Sequence, residues 1–190
     1  MYIPNLHRRR SIRLKGYDYS QGGAYFITIC TQNRECSFGD IMDGRMGLND
    51  AGQMIERWWN ELMGKYPHIK IDAYIVMPNH FHGIIIVGAT LCGRPEIINR
   101  QPHHQIGQPH RVAPTIGEII DWFKTMTINE YIRGVKQHNW QPFHGKLWQR
   151  NYYDRIIRNE KELNQIREYI FNNPFQWAED EYNPEKGSQC

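Results

Sequence analysis

The run Tyr74 to Val87 (YIVMPNHFHGIIIV) restricts the fold of this chain more than any other segment. Both halves are apolar and β-branched, and only Pro78-Asn79 stands between them. Two residues cannot carry the crossover that parallel strands require. Ile69 to Met77 and Phe81 to Val87 are therefore predicted as antiparallel neighbours. Side chains alternate along a strand, so His80 and His82 share one face while Phe81 enters the other. Two neutral imidazoles on one rigid face can hold a divalent metal if a third ligand arrives from elsewhere. The bland alternative is a polar pair on the solvent side of a sheet.

The remaining elements follow from periodicity and punctuation. Ala24 to Gln32 (AYFITICTQ) reads as a strand, and the Gly-rich stretch Arg34 to Leu48 as a hairpin or loop. Asn49 caps a predicted helix to about Tyr66, with Met54, Ile55, Trp58, Trp59, Leu62 and Met63 at helical spacing. The paired tryptophans read as core rather than as a base-stacking platform. Thr115 to Glu118 is a capping box opening a helix to about Ile132. Lys146 to Arg158 reads as a strand. A last helix starts at Asn159, carries Leu163, Ile166, Tyr169 and Ile170, and stops before Pro174. The order β-α-β-β-α-β-α predicts an α+β fold: a ferredoxin-like split βαβ sandwich, an antiparallel sheet with helices on one face, plus an extra C-terminal helix carrying the tyrosine.

In domain terms this gives a basic arm over 1–20, one domain over 21–177 with a long loop at 89–114, and a tail over 178–190. The chain of 190 residues suits one domain. Its net charge of +3 is too small to name a partner, so the placement of charge matters more. Arg8, Arg9, Arg10, Arg13 and Lys15 precede any acidic residue and are followed by Tyr17 and Tyr19. Cations beside aromatics suit a nucleic-acid strand; a disordered basic arm is the alternative. The loop is rich in Pro, Gly, Gln and His, and its His103, His104 and His110 read as solvated rather than as ligands. Cys30, Cys36, Cys92 and Cys190 lack CxxC spacing, which argues against structural zinc and a disulfide framework and fits a cytoplasmic protein. No signal-peptide pattern and no apolar run of membrane-spanning length is present, so no membrane partner is expected.

Tyr169 lies near the end of the last helix, with Asn172-Asn173-Pro174 just beyond it, so its phenol can stand beside one of the two carboxamides. Alone, Tyr169 reads equally as a core aromatic with its hydroxyl at the rim. Together with the strand-borne histidines it resembles the single-tyrosine HUH transposases. Val76 to His82, Trp148-Gln149, Asp154 to Arg158 and Glu168 to Pro174 are most similar to one branch, the REP-associated tyrosine transposases, over about Lys15 to Trp177. The resemblance implies a metal-dependent enzyme on single-stranded DNA beside a hairpin of a repetitive palindromic element, using Mg²⁺ or Mn²⁺. It implies His80 and His82 as metal ligands, Asn173 as the third with Asn172 as fallback, and Tyr169 as the nucleophile that keeps a 5′-phosphotyrosine. Relatives act as monomers or homodimers, and both remain open. Arg150, Arg155, Arg158 and Lys124 join the N-terminal cations as candidate DNA contacts.

Three rivals remain. A non-catalytic or degenerate nucleic-acid binder with an RRM-like sheet would present aromatics on an exposed sheet face. The histidine pair, expected on that exposed face, argues against it. A water-using phosphoesterase would not need Tyr169. A decayed transposase would retain DNA binding alone.

Overall fold

In the computed structural model, residues 22–88 and 114–187 are described. The basic arm, loop residues 89–113 and the last three residues lie outside that set.

The sheet holds β1 (Gly23–Cys30), β4 (Ile69–Val76), β5 (His80–Val87) and β6 (Tyr153–Ile157) in the order β4-β5-β1-β6. Every pairing is antiparallel. This is the split βαβ arrangement expected: β5 separates β4 from β1, and a helix, α1 (Asp50–Lys65), connects β1 to β4. Between β1 and α1 stands a separate hairpin of β2 (Gly39–Met42) and β3 (Arg45–Leu48). It turns at Asp43 and Gly44, both with positive φ.

Local sequence fixes the helix starts. The Asn49 side chain accepts from the Gly52 N–H at 2.9 Å. Thr115 and Glu118 close the predicted capping box on α2 (Ile116–Gln137). Asn159 accepts from the Glu162 N–H to open α3 (Glu160–Asn172).

Alternation along the strands builds two cores. Tyr25, Ile27, Ile29, Phe81 and Ile85 face α1 and α2, where Trp59 and Phe123 pack on Phe81 with ring centroids 4.4 and 5.7 Å away. Phe26, Ile84 and Ile157 face the other way and meet Ile166 and Ile170 of α3. Helices α1 and α2 thus share one face, as expected, while the added helix covers the opposite one. The sheet face bearing the histidines is therefore not exposed, and His80 and His82 are buried. Covering that face lets α3 bury its own apolar stripe.

Further boundaries differ from expectation, and α2 itself runs to Gln137 rather than to about Ile132. The strand expected over Lys146 to Arg158 is regular only from Tyr153. Before it, a single pair joins Thr31 to Trp148, and Trp148 turns into the core to donate to Thr127 Oγ1 at 2.9 Å. Asn173 keeps helical angles (φ −57°, ψ −43°) despite Pro174, because the proline serves as the first residue of a 3₁₀ turn, where its missing N–H costs nothing. Residues beyond Trp177 continue the fold: Asp180, Tyr182 and Asn183 are buried.

Candidate metal and nucleophile site

The strand register sets the floor of the site. Thr28 on β1 stands opposite His82, and Cys30 opposite His80. Thr28 Oγ1 and His82 Nδ1 are hydrogen-bonded at 2.8 Å. His80 Nδ1 lies 2.9 Å from Asn79 Oδ1. With both Nδ1 atoms so engaged, each ring has Nε2 for another partner. The two imidazoles sit edge to face, with centroids 4.6 Å apart.

Helix α3 brings the phenol over this floor. Tyr169 Oη is 3.4 Å from His82 Nε2, although 87 residues separate them in sequence. Phe26 holds both rings, stacking on His82 at 5.3 Å and meeting Tyr169 edge-on at 6.1 Å. A bidentate pair secures the helix: Arg167 Nε and Nη2 donate to the two Asp72 carboxylate oxygens at 2.7 and 2.6 Å.

Of the two carboxamides, Asn173 is buried and Asn172 only half-buried. The Asn173 amide favours the Tyr169 phenolate, yet neither of its polar atoms forms a hydrogen bond of good geometry. A buried amide left in this state is costly, and it is the state expected of a ligand oxygen awaiting a cation. No cluster of three or more His, Cys, Asp or Glu among the described residues could hold a metal. The oxygen donor that joins the histidine pair in this reading is the carboxamide of Asn173. Two neutral imidazoles and an amide oxygen suit borderline and hard divalent ions alike, so the donor chemistry fits Mg²⁺ or Mn²⁺ without choosing between them.

The electrostatics keep the phenol protonated. Burial pushes the Tyr169 pKa well above the ordinary tyrosine range, and the Asp180 carboxylate adds to this. Burial likewise raises the Cys30 thiol to about 12, with Arg34 opposing.

The C-terminal turns form a roof that the sequence did not reveal. Tyr182 lies 4.7 Å from the His80 ring and Trp177 6.1 Å from it. The Arg34 guanidinium stacks over Tyr182 at 5.4 Å and donates to the Glu181 carbonyl. Thr28 and Asn79 were also missed as site residues. Thr28 was detectable from strand alternation once the register was known, whereas nothing in the residue pattern marks Tyr182.

His80, His82, Tyr169 and Asn173 therefore converge. The candidate DNA contacts do not gather with them. Lys124 Nζ donates to the Gln149 and Arg150 carbonyls at 2.7 and 3.1 Å, tying α2 to the chain before β6. Arg155 pairs with Glu162 at the start of α3, the end away from Tyr169. Arg150 and Arg158 are exposed. Arg8, Arg9, Arg10, Arg13, Lys15 and the loop histidines lie outside the described residues.

Comparison with known proteins places this geometry in context. No family model matches the chain. An uncharacterized protein of Haemophilus influenzae is 41% identical over 180 residues, covering 95% of this chain and 96% of its own length. A second protein of that organism, provisionally named a REP-associated tyrosine transposase, is 23% identical over 160 residues, covering 83% and 73%. Among solved structures, a REP-associated tyrosine transposase bound to a REP hairpin shares the fold, with a TM-score of 0.54 and 19% identity, over 84% of this chain and 71% of that one. Among the described residues, no helix is long and apolar enough to cross a membrane.

Proposed function

This chain belongs to one family with the uncharacterized Haemophilus influenzae protein and is a relative of the REP-associated tyrosine transposases, and on that premise we propose that it is a metal-dependent DNA strand transferase. It cuts single-stranded DNA beside a hairpin and can rejoin it. The observation that carries the reading is the approach of the Tyr169 phenol to His82 Nε2, with the buried Asn173 carboxamide alongside.

The reaction makes one bond and breaks one. Tyr169 Oη attacks the scissile phosphorus in line as the bond to the 3′-oxygen breaks. The 5′ side stays on the protein as a phosphotyrosine, and the phenol proton ends on the departing 3′-oxygen. Because the ester retains the energy of the diester, a 3′-OH can reverse the attack and rejoin DNA without ATP. His80, His82 and Asn173 are the residues that would hold Mg²⁺ or Mn²⁺, which would supply positive charge to the phosphoryl oxygens when bound. Phe26 and the Arg167–Asp72 pair fix the phenol's position, which is the protein's part in alignment. The Trp177 and Tyr182 rings must move aside before a phosphate reaches His80.

The solved relative was captured on a REP hairpin, and a hairpin flanked by single strand is the substrate we assign here. The basic arm over 1–20 is proposed to grip the stem, with Arg150 and Arg158 as exposed phosphate contacts. The domain proper is taken as 21–177, joined by the roof residues that follow.

The test is a gel assay for covalent adducts with hairpin oligonucleotides drawn from repeats flanking the gene, in Mn²⁺ or EDTA. A metal-dependent adduct that vanishes in Tyr169→Phe is expected. Cleavage surviving in Tyr169→Phe would mean a water-using nuclease, and binding without cleavage in either metal would mean a binding module.

A further inference from the structure

We propose that Asn79 is a positioning residue for the metal site: it locks His80 in the tautomer that carries its proton on Nδ1 and so turns Nε2 toward the site. The inference rests on the metal reading above for its consequence, but not for its geometry.

A carboxamide has one oxygen that accepts and one nitrogen that donates two hydrogens. Asn79 is fully buried, and its Nδ2 reaches two backbone carbonyls, Arg34 O at 3.0 Å and Tyr182 O at 2.7 Å. Carbonyls only accept, so both amide hydrogens are committed and the orientation of the amide is fixed. The atom facing His80 Nδ1 at 2.9 Å is therefore Oδ1. An oxygen acceptor demands a proton on Nδ1. In a neutral ring this leaves the lone pair on Nε2, the form a metal requires.

His82 offers a useful contrast. Its Nδ1 partner is the Thr28 hydroxyl, which can donate or accept, so that hydrogen bond does not select a tautomer. The choice is forced only at His80. Asn79 also links three segments distant in sequence: the turn after β1, the entry to β5 and the roof turn at Tyr182. The same amide that sets the ligand thus senses whether the roof is in place. Partners of this kind behind a ligating histidine typically change metal affinity 10- to 100-fold on removal.

The experiment reads the tautomer first and the metal second. Long-range ¹H–¹⁵N spectra of the metal-free, ring-labelled full chain, above the imidazole titration range, assign each nitrogen of His80. Manganese binding is then followed by electron paramagnetic resonance with MnCl₂ alone. Nδ1–H at His80 in the wild type, lost in Asn79→Ala together with a 10- to 100-fold weaker Mn²⁺ affinity, is expected. Asn79→Asp keeps the acceptor while losing both donors, and should retain the tautomer. A wild-type His80 protonated on Nε2 overturns the proposal outright, even if Asn79→Ala fails to fold. So does an Nδ1–H tautomer that persists in a folded Asn79→Ala. If the tautomer responds as stated but the wild type binds no Mn²⁺, the positioning role stands and the metal reading of the preceding section falls.

Discussion

Gly83 lies between the histidine pair and the apolar half of β5, and its lack of a side chain is a packing requirement. A Cβ built there would meet Trp59 Cζ2 at 2.5 Å, Phe81 Cε1 at 2.8 Å and Trp59 Cε2 at 2.9 Å. Carbon atoms rest about 3.5–4.0 Å apart, so Gly83→Ala must displace the indole by roughly 1 Å. The indole cannot yield freely: Trp59 is fully buried, with Phe81 and Phe123 centroids 4.4 and 5.3 Å away. Overfilling a packed core costs about 1–3 kcal/mol. Restricting the unfolded chain offsets about 0.4–1 kcal/mol of that. The net expectation is a loss of about 1–2 kcal/mol. Urea unfolding followed by far-ultraviolet circular dichroism should show the midpoint falling by about 0.3–2 M, given slopes of about 1–3 kcal/mol per M. Trp59→Phe removes the indole side of the collision and leaves only Phe81 Cε1, so the double variant should be less destabilised than the sum of the singles, by a coupling of about 0.5–3 kcal/mol. An unchanged midpoint in Gly83→Ala, or strict additivity in the double variant, would refute the steric account.

Further expectations concern the seating of Tyr169 and the helix that carries it. The Arg167 guanidinium holds the Asp72 carboxyl below its ordinary range. A depressed folded pKa means the pair's stabilisation is present above about pH 4, the unfolded carboxylate value, and fades as pH falls through the folded one. With Arg167 about 41% exposed, screening limits this to about 1 kcal/mol or less. Comparing acid unfolding of the wild type and Asp72→Asn should show that component missing from the variant; identical acid profiles would exclude it. Replacing the α3 cap, Asn159→Ala, should lower stability by about 1 kcal/mol in thermal or urea melts, and a change below a few tenths would mean the cap is dispensable. Diethylpyrocarbonate should modify His80 slowly in the native protein and several times faster in Tyr182→Ala, read by mass spectrometry of the His80 peptide. Equal rates would show that the Tyr182 ring is not the shield.

The sheet and the histidine pair were legible because strand alternation depends on nothing beyond nearest neighbours, and a two-residue link leaves one pairing possible. The caps at Asn49, Thr115 and Asn159 were legible for the same reason: each is a bond within one helical turn. What escaped depends on distant partners. Asn79 sits inside the motif that drew attention, yet its role comes from carbonyls 45 and 103 residues away. Trp148 reads as a strand residue until the hydroxyl of Thr127, on α2, draws it inward. The histidine face looked solvent-exposed because no local pattern states which side of a sheet an added helix will take.

The two cores are unequal, and the reactive groups straddle the difference. Against α1 and α2 the sheet buries an extended cluster that includes Trp59, Phe81, Phe123 and Trp148, whereas the buried part of the α3 side is Phe26, Ile84, Ile157, Ile166 and Ile170. Local opening free energy follows buried apolar contact, so amide exchange should divide the molecule into a slow platform and a faster flap. The histidines belong to the platform and the tyrosine to the flap. Under the proposed chemistry, such a division would let the phenol, with a DNA end attached, swing away and return while the histidine floor stays folded. A strand transferase that must release one end and accept another would draw on that motion.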